Sequence, residues 1–304
     1  TVSIARLAAT HLQDACFPQR LFYQANVFRH VQPHLAQYRE FWQLGIELLG
    51  ASGVKADAEV ITIAVQALQD IGLDNFKVSL NQIGIFNSLL DDSGMNLEDR
   101  SLIRGLVEKK DLVELSRVLE EMAIDDGLKE TIAALPVLHG GIEVLNRIPY
   151  VEKNRNAATA VNDLIQIYDV LKVSGVQDKI VLDMGVLRGL DYYTGIVFEG
   201  YSPDLGYGLL GGGRYDNLMG KFGFPCPATG FSLGMDRLAL VLKHQQSETQ
   251  RYLLGGSNFQ AMVDKAQKLR EEGNIVEMDV LGSNRETLEQ VARERENCKL
   301  IYLD

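Results

Sequence analysis

Apolar residues recur at helical spacing in two early segments, 4–15 and 57–71, and each segment is predicted as a helix. Pro18 follows the first segment and is incompatible with its continuation. In the second, Asp57 stands where an N-cap residue is needed, and Gly72 stands just past the end. We therefore expect two amphipathic helices, each with a recognisable stop signal.

Other early segments alternate large apolar with polar residues at period two, which predicts strands over 20–30, 39–50 and 76–84. The first two are separated by about eight polar residues, so we expect them to pair as a long antiparallel hairpin. From 86 to 156, charged clusters at helical spacing replace the strand pattern. This change predicts a helical insertion, without strands, between two halves of a sheet domain.

Strand patterns return in the second half of the chain. Residues 178–187 and 194–202 are predicted strands, and 228–244 is predicted as a strand that leads directly into a helix. The tail alternates strand and helix, which is typical of a small α/β module. The sequence thus predicts four segments: core 1–85, insertion 86–156, core 157–248 and C-terminal module 249–304.

The composition is that of a folded globular protein, since 46% of the 304 residues are hydrophobic and 23% are charged. The formal net charge of −11 argues against sequence-independent binding to nucleic acid. No apolar run reaches the roughly 18 to 20 residues that a membrane span requires. No signal peptide is recognisable, and because the chain begins at Thr1 without a methionine, we expect further residues upstream.

The few cysteines and histidines predict neither a disulfide framework nor a metal site. The odd number and wide spacing of the cysteines are typical of a reducing compartment, so we expect a cytoplasmic protein. They are Cys16, Cys226 and Cys298. His30 and His34 have the spacing of helical metal ligands, but they flank Pro33, which breaks the helix that such a pair needs.

A glycine-dense stretch over 206–223 matches nucleotide-binding motifs only in part. Gly206, Gly208 and Gly211 have the spacing of the dinucleotide fingerprint, but more glycines follow where the helix and the acidic residue of that motif belong. The P-loop pattern fails because Phe222 stands where serine or threonine must hold magnesium. We therefore predict a tight hairpin whose backbone lies close to a neighbour or a ligand.

Three short segments combine glycine with arginine and with acidic or phenolic groups: LRGLDYY (187–193), GGRYD (212–216) and GFSLGMDR (230–237). An unpaired Arg188 between apolar strands is costly, and an ion pair with Asp191 is one structural explanation. Together with FRHVQPHLAQYREFWQLGIE (28–47), these segments occur in the order of the class II aminoacyl-tRNA synthetase signatures. The sequence resembles that family, and within it the histidyl type, over roughly residues 1–85 and 157–244.

The resemblance implies an α+β fold, with a class II aminoacyl-tRNA synthetase-like core whose mixed, mostly antiparallel sheet is flanked by helices. It also implies a histidine pocket, whose acceptors and phenols suit an imidazole and an α-ammonium group. The pocket residues retained here are Gln43, Glu47, Tyr193 and Tyr215. The arginines of the family that hold phosphates match Arg29, Arg188 and Arg237, and Arg188 is here expected to serve the histidine carboxylate.

Departures from the family pattern reduce the charge of the segment 28–47. Where the family has one glutamate and two arginines, this chain has Val31, Gln32 and Gln37. Losing two charge-assisted hydrogen bonds costs about 3–6 kcal/mol, or roughly 10²–10⁴ in rate. The tail over 251–304, with eight basic and ten acidic side chains, also lacks the basic surface that tRNA requires. We therefore expect neither aminoacylation nor tRNA binding.

A histidine pocket without ATP and tRNA contacts resembles a paralogue group, the synthetase-like regulatory subunits of ATP phosphoribosyltransferase in histidine biosynthesis. This implies a non-catalytic subunit without a cofactor, in which Arg29 and Arg237 are vestigial phosphate-binding residues. It further implies a dimer through the core and a hetero-octamer with the short-form catalytic subunit. The catalytic subunit is expected to depend on this protein for activity, and histidine is expected to be the feedback effector. The alternatives are a divergent or truncated histidyl-tRNA synthetase and a synthetase-like binding protein that serves another enzyme.

Overall fold

The computed structural model forms two compact units, Thr1–Leu242 and Lys243–Asp304. The finer division of the first unit, predicted at residues 85 and 156, stays a prediction. The residues described by the structure are 1–30, 38–187, 192–242 and 250–304.

A mixed, mostly antiparallel sheet dominates the first unit, as the sequence predicts. Its strands in the described residues are β1 Gln19–Phe28, β2 Glu40–Leu49, β3 Lys77–Gln82, β4 His139–Gly140, β5 Ile180–Asp183, β6 Ile196–Tyr201, β7 Gly208–Arg214 and β8 Ala228–Gly234. The strand order is β1-β2-β8-β7-β6-β3-β5-β4, and only β3 and β5 pair in parallel. The two-residue β4 corrects the expectation that 86–156 holds no strand.

Helices flank this sheet. They are α1 Val2–His11, α2 Val54–Asp70, α3 Ile83–Asp92, α4 Leu97–Lys109, α5 Leu112–Glu121, α6 Asp126–Ala134, α7 Arg155–Val173 and α8 Met235–Val241, with 3₁₀ turns at Leu135–Val137, Ile142–Arg147, Val151–Lys153, Gln177–Lys179 and Met219–Phe222. All of the described helices except α1 share the main hydrophobic core with the sheet, whereas α1 packs in a second cluster with Leu49 and Tyr215. Ile103 of α4, Leu115 of α5 and Leu128 of α6 are buried in the same core as Phe198 of the sheet. The predicted insertion therefore packs against the sheet.

The start of α2 differs from the prediction. The helix begins at Val54, after Gly53 in a left-handed conformation with φ 84°, so Asp57 is not its N-cap. Asp57 instead lies in the first turn, where its buried carboxylate pairs with Arg214. This pairing gives the carboxylate a charged donor, which binds it more strongly than a helix N–H does.

The predicted hairpin of β1 and β2 is confirmed, and its register places three site residues on one face of the sheet. The strands pair from Gln19 opposite Leu49 to Phe28 opposite Glu40. Tyr23 is opposite Gly45, so it shares a face with the odd-numbered residues of β2, among them Gln43 and Glu47. The polar floor of a pocket is thus built from two neighbouring strands.

The second unit is a small α/β module, as predicted. Its elements are β9 Arg251–Gly255, α9 Phe259–Glu271, β10 Ile275–Met278, α10 Arg285–Arg293 and β11 Cys298–Tyr302. The strands are parallel in the order β10-β9-β11. In neither unit does a described helix have the length and apolar character to cross a bilayer.

Candidate functional site

A cavity of about 410 Å³ lies over β1, β2, β7 and β8 and gathers most of the residues predicted for the site. The predicted residues in its wall are Arg29, Gln43, Tyr193, Tyr215 and Arg237. Glu47 lies directly beneath this wall, in contact with Tyr215 and Gly230, which both line the cavity. Arg188, predicted for the same pocket, lies outside the described residues.

The floor of the cavity is a buried acid and phenol pair. Glu47 and Tyr215 are 1% and 2% exposed, and the Tyr215 hydroxyl donates a hydrogen bond to Oε2 of Glu47. Gly230 faces Glu47 across the β2–β8 ladder, and a Cβ there would lie 2.0 Å from the same oxygen. Glycine at 230 therefore makes room for the carboxylate.

Two buried polar atoms at this floor make no hydrogen bond to a described residue: Oε1 of Glu47 and the hydroxyl of Tyr23. The main-chain nitrogen of Thr1 lies 3.7 Å from that carboxylate oxygen. A buried carboxylate oxygen needs a donor, and an imidazole N–H is one. Tyr23 was not among the residues predicted from the motifs, although Gly45 opposite it is a signal, since a Cβ there would lie 2.3 Å from the tyrosine ring.

The protonation states of the floor follow from its burial. Burial raises the pKa of the Glu47 carboxyl, and the hydrogen bond from Tyr215 opposes the rise. Burial, with the charge of Glu47, raises the pKa of the Tyr215 phenol well above its ordinary value, and the pKa of Tyr23 rises for the same reasons. Both phenols therefore keep their protons at neutral pH and act as donors.

The raised pKa of Glu47 predicts how stability depends on pH. The Glu47 carboxyl binds a proton more tightly in the native state than in the unfolded state. Protonation therefore stabilises the fold, and this contribution is complete below the ordinary glutamate pKa and is lost as pH rises through the raised pKa. We expect wild type to lose unfolding free energy relative to Glu47→Gln over that range, by about 1.4 kcal/mol for each tenfold difference in proton affinity. Urea titrations of both proteins from acid to neutral pH measure this, and a constant difference would contradict it.

Two adjacent tyrosines form the aromatic wall. The ring of Tyr192 meets Tyr215 edge-on, with centroids 6.1 Å apart at 85°, and lies 4.9 Å from the ring of Tyr193. The Tyr193 ring covers Gly213, where a Cβ would lie 2.8 Å from it. Thr194 N donates to the Arg214 carbonyl at 2.8 Å. These contacts hold the two phenols over the floor.

A buried ion-pair network, which no sequence pattern predicted, fixes the position of Tyr215. Nε of Arg214 lies 3.0 Å from both carboxylate oxygens of Asp57, and Nη1 donates to Oδ1 of Asp216 at 2.8 Å. The guanidinium also donates to the Ala51 carbonyl at 3.3 Å. The residues on both sides of Tyr215 are thus fixed to β7 and α2. The GGRYD motif contained this arginine, but the distant partner Asp57 carried no sequence signal.

The two arginines predicted as phosphate ligands lie at the rim. The Arg29 guanidinium stacks 4.4 Å from the Phe41 ring centroid. Arg237 lies 5.5 Å from the Tyr207 ring centroid and donates to the Gly208 carbonyl. The wall of the cavity contains these two cations, and Glu47 beneath it is an acceptor, a combination that suits a small zwitterion with an N–H donor. In the described part of the chain, no cluster of His, Cys, Asp or Glu side chains is arranged to hold a metal ion.

Comparison with known proteins identifies the family of the chain. A family model for histidyl-tRNA synthetase matches residues 1–238. Two relatives are named ATP phosphoribosyltransferase regulatory subunit: one from Moorella thermoacetica is 39% identical over 96% of this chain and 75% of its own length. The other, from Desulfitobacterium hafniense, is 36% identical over 99% of this chain and 77% of its own length.

Solved structures agree as well. A Bacillus halodurans protein described as an ATP phosphoribosyltransferase regulatory subunit/histidyl-tRNA synthetase matches with a TM-score of 0.85 at 31% identity, over 99% of this chain and 78% of its own. Histidyl-tRNA synthetase from Nostoc sp. matches with a TM-score of 0.83 at 20% identity, over 99% and 74%, which speaks for the fold alone. The class II synthetase-like fold implied by the sequence motifs is confirmed.

Proposed function

The chain belongs to the histidyl-tRNA synthetase-like family that includes the ATP phosphoribosyltransferase regulatory subunits, and from that premise we propose that it is the non-catalytic, histidine-sensing subunit of such a transferase. The short-form catalytic subunit, its partner in a hetero-octamer, requires it for activity. Histidine bound in the cavity inhibits the complex. A dimer through the synthetase-like core and a cytoplasmic location belong to the same proposal.

The buried floor of the cavity carries the histidine part of the proposal. Oε1 of Glu47, which makes no hydrogen bond to a described residue, accepts one imidazole N–H, and the neighbouring phenols offer hydroxyl groups to the other ring nitrogen. Gln43 lines the cavity and provides an amide oxygen for the α-ammonium group, while the rim arginines face the α-carboxylate. A ligand of this kind needs no chemistry from the site.

Inhibition then follows from linkage between ligand and conformation. If histidine binds an inactive arrangement of the complex more tightly than the active one, it shifts the population by that difference in affinity. A coupling of about 1–3 kcal/mol gives roughly 5- to 150-fold inhibition. The uncharged Val31, Gln32 and Gln37, which lie outside the described residues, support a role without nucleotide chemistry.

Mixing the purified protein with a short-form catalytic subunit tests the proposal. We expect transferase activity only in the mixture, with histidine lowering it by roughly 5- to 150-fold. The catalytic subunit alone and this protein alone are the controls. Full activity of the catalytic subunit without this protein, or a mixture insensitive to histidine, would contradict the proposal.

A second candidate is a divergent histidyl-tRNA synthetase, which the presence of Arg29 and Arg237 in the cavity wall favours. Such an enzyme exchanges pyrophosphate into ATP in the presence of histidine. We expect the purified protein to show no such exchange above a blank without protein. Exchange that depends on histidine would establish the synthetase in place of the regulatory subunit.

A further inference from the structure

A second cavity, of about 430 Å³, lies between α3 and α4 and shares the wall residue Tyr193 with the first. From α3 it is lined by Ile83, Asn87 and Asp91, and from α4 by Arg100 and Arg104 among others. Its polar side chains stand at i and i+4 on each helix, so they occupy one face of α3 and one face of α4. Nothing in the function proposed above uses this cavity.

The polar side chains face each other as two pairs, of which one is a neutralised ion pair and the other has a net positive charge. Nη1 of Arg100 lies 2.5 Å from Oδ1 of Asp91, which compensates the first guanidinium. Nη2 of Arg104 donates to Oδ1 of Asn87 at 2.7 Å, a neutral partner. Among the described residues, the lining of the cavity therefore carries one positive charge without a matching acid.

Arg104 has the features of an anion ligand. It is half-buried, its guanidinium lies 5.7 Å from the Phe86 ring centroid, and no carboxylate of the described residues lies within 4 Å of it. A partly desolvated guanidinium gains most from a charged acceptor, which carboxylates provide in bidentate geometry. Since Ile83, Asn87 and Asp91 follow at successive turns of α3, Arg104 lies between the Arg100–Asp91 pair and the Ile83 end of the cavity.

We propose that this cavity binds a free amino acid, with the α-carboxylate on Arg104 and the α-ammonium group toward Asp91. The Asp91 side chain is 69% exposed and can accept from the ligand while it pairs with Arg100. It also repels a phosphate dianion, which favours a monoanion with an attached cation. Ile83 and Leu90 give the cavity an apolar surface for the side chain of the ligand.

The two cavities are connected through the chain as well as through Tyr193. The backbone N–H of Ile83, the first residue of α3, donates to the Gly195 carbonyl at 3.0 Å. A ligand that draws α3 and α4 together therefore acts on the segment that carries the aromatic wall of the first cavity. This coupling rests on the function proposed above, whereas binding to the second cavity does not.

The test uses the full chain with histidine binding in the first cavity weakened by Glu47→Gln. We expect L-histidine or L-leucine, titrated by calorimetry, still to bind this variant, and adding Arg104→Gln to weaken that binding by about 10- to 100-fold. Histamine, which lacks the carboxylate, should not bind at this cavity. Arg104→Lys keeps the charge but loses the bidentate fork, so its affinity should lie between those of Glu47→Gln alone and of the variant with Arg104→Gln, and this graded loss separates loss of the ligand contact from loss of folding.

Arg117→Gln is the matched control, because this exposed arginine of α5 pairs with Glu114 and Glu121 away from the cavity. The amino-acid affinity of the variant that combines Glu47→Gln with Arg117→Gln should equal that of Glu47→Gln alone. The proposal is overturned if neither amino acid binds the Glu47→Gln variant, or if Arg104→Gln leaves the binding unchanged. Binding that persists in Glu47→Gln and is lost with Arg104→Gln supports it even where the mixing experiment fails.

Discussion

Glu47→Gln lowers the affinity for histidine by about 10- to 100-fold and leaves the fold and the assembly intact, because it removes one charge-assisted hydrogen bond. The substitution preserves the size of the side chain, so the space beside Gly230 stays filled. What is lost is the carboxylate charge that accepts the imidazole N–H. Calorimetry on the purified protein gives the affinity, and the histidine inhibition curve of the reconstituted complex should shift by the same factor.

Glu40→Gln is the matched control for this prediction. Glu40 stands on the same strand, β2, but it is exposed and its Oε1 accepts a hydrogen bond from Asn26 at 2.9 Å. The same chemical change there should leave histidine binding and inhibition unaltered. Equal affinities for Glu47→Gln and the wild type would place the histidine site elsewhere.

Arg214→Ala destabilises the protein by about 3–5 kcal/mol, since it leaves the Asp57 carboxylate buried without its cation. The side chains of Arg214 and Asp57 are only 8% and 7% exposed, so water cannot replace the lost partner. Urea unfolding measures the change. We also expect weaker histidine binding in the folded fraction, because Tyr215 directly follows this arginine and shares its anchoring.

Two comparisons separate the burial of this pair from ion pairing in general. Arg20→Ala breaks the exposed pair with Glu59 and should have little effect on stability. The double variant Asp57→Ala with Arg214→Ala removes both charges and should recover part of the loss. If Arg214→Ala unfolded at the same urea concentration as Arg20→Ala, the network would not stabilise the fold.

Local patterns in the sequence were sufficient for many of the elements, and the family signature motifs supplied most of the candidate-site residues. Period-two alternation identified β1 and β2, and helical spacing identified α2, because one face of each element has to be apolar. The signature motifs named Gln43, Tyr193 and Tyr215, which the structure brings into one cavity wall. The fold class followed from those motifs, and the solved structures confirm it.

Contacts between distant segments could not be derived from these patterns. Asp57 looks like an N-cap in its own segment, but its partner Arg214 is 157 positions away along the chain. Tyr23 is one of several aromatic residues in an alternating strand until the hairpin register sets it opposite Gly45. The second cavity is lined by both α3 and α4, and only the folded chain places Arg104 opposite an amide and not an acid.

Sequence alone thus determined which side chains are present and which elements carry them, because backbone geometry and burial of one face act over a few neighbouring residues. The tertiary structure decided which of these groups lose water and which meet a partner. Burial gives Glu47, one acidic residue among many, a raised pKa and a buried oxygen that makes no hydrogen bond to a described residue. Desolvation and pairing depend on segments far apart in the chain, and only the packed fold brings those segments together.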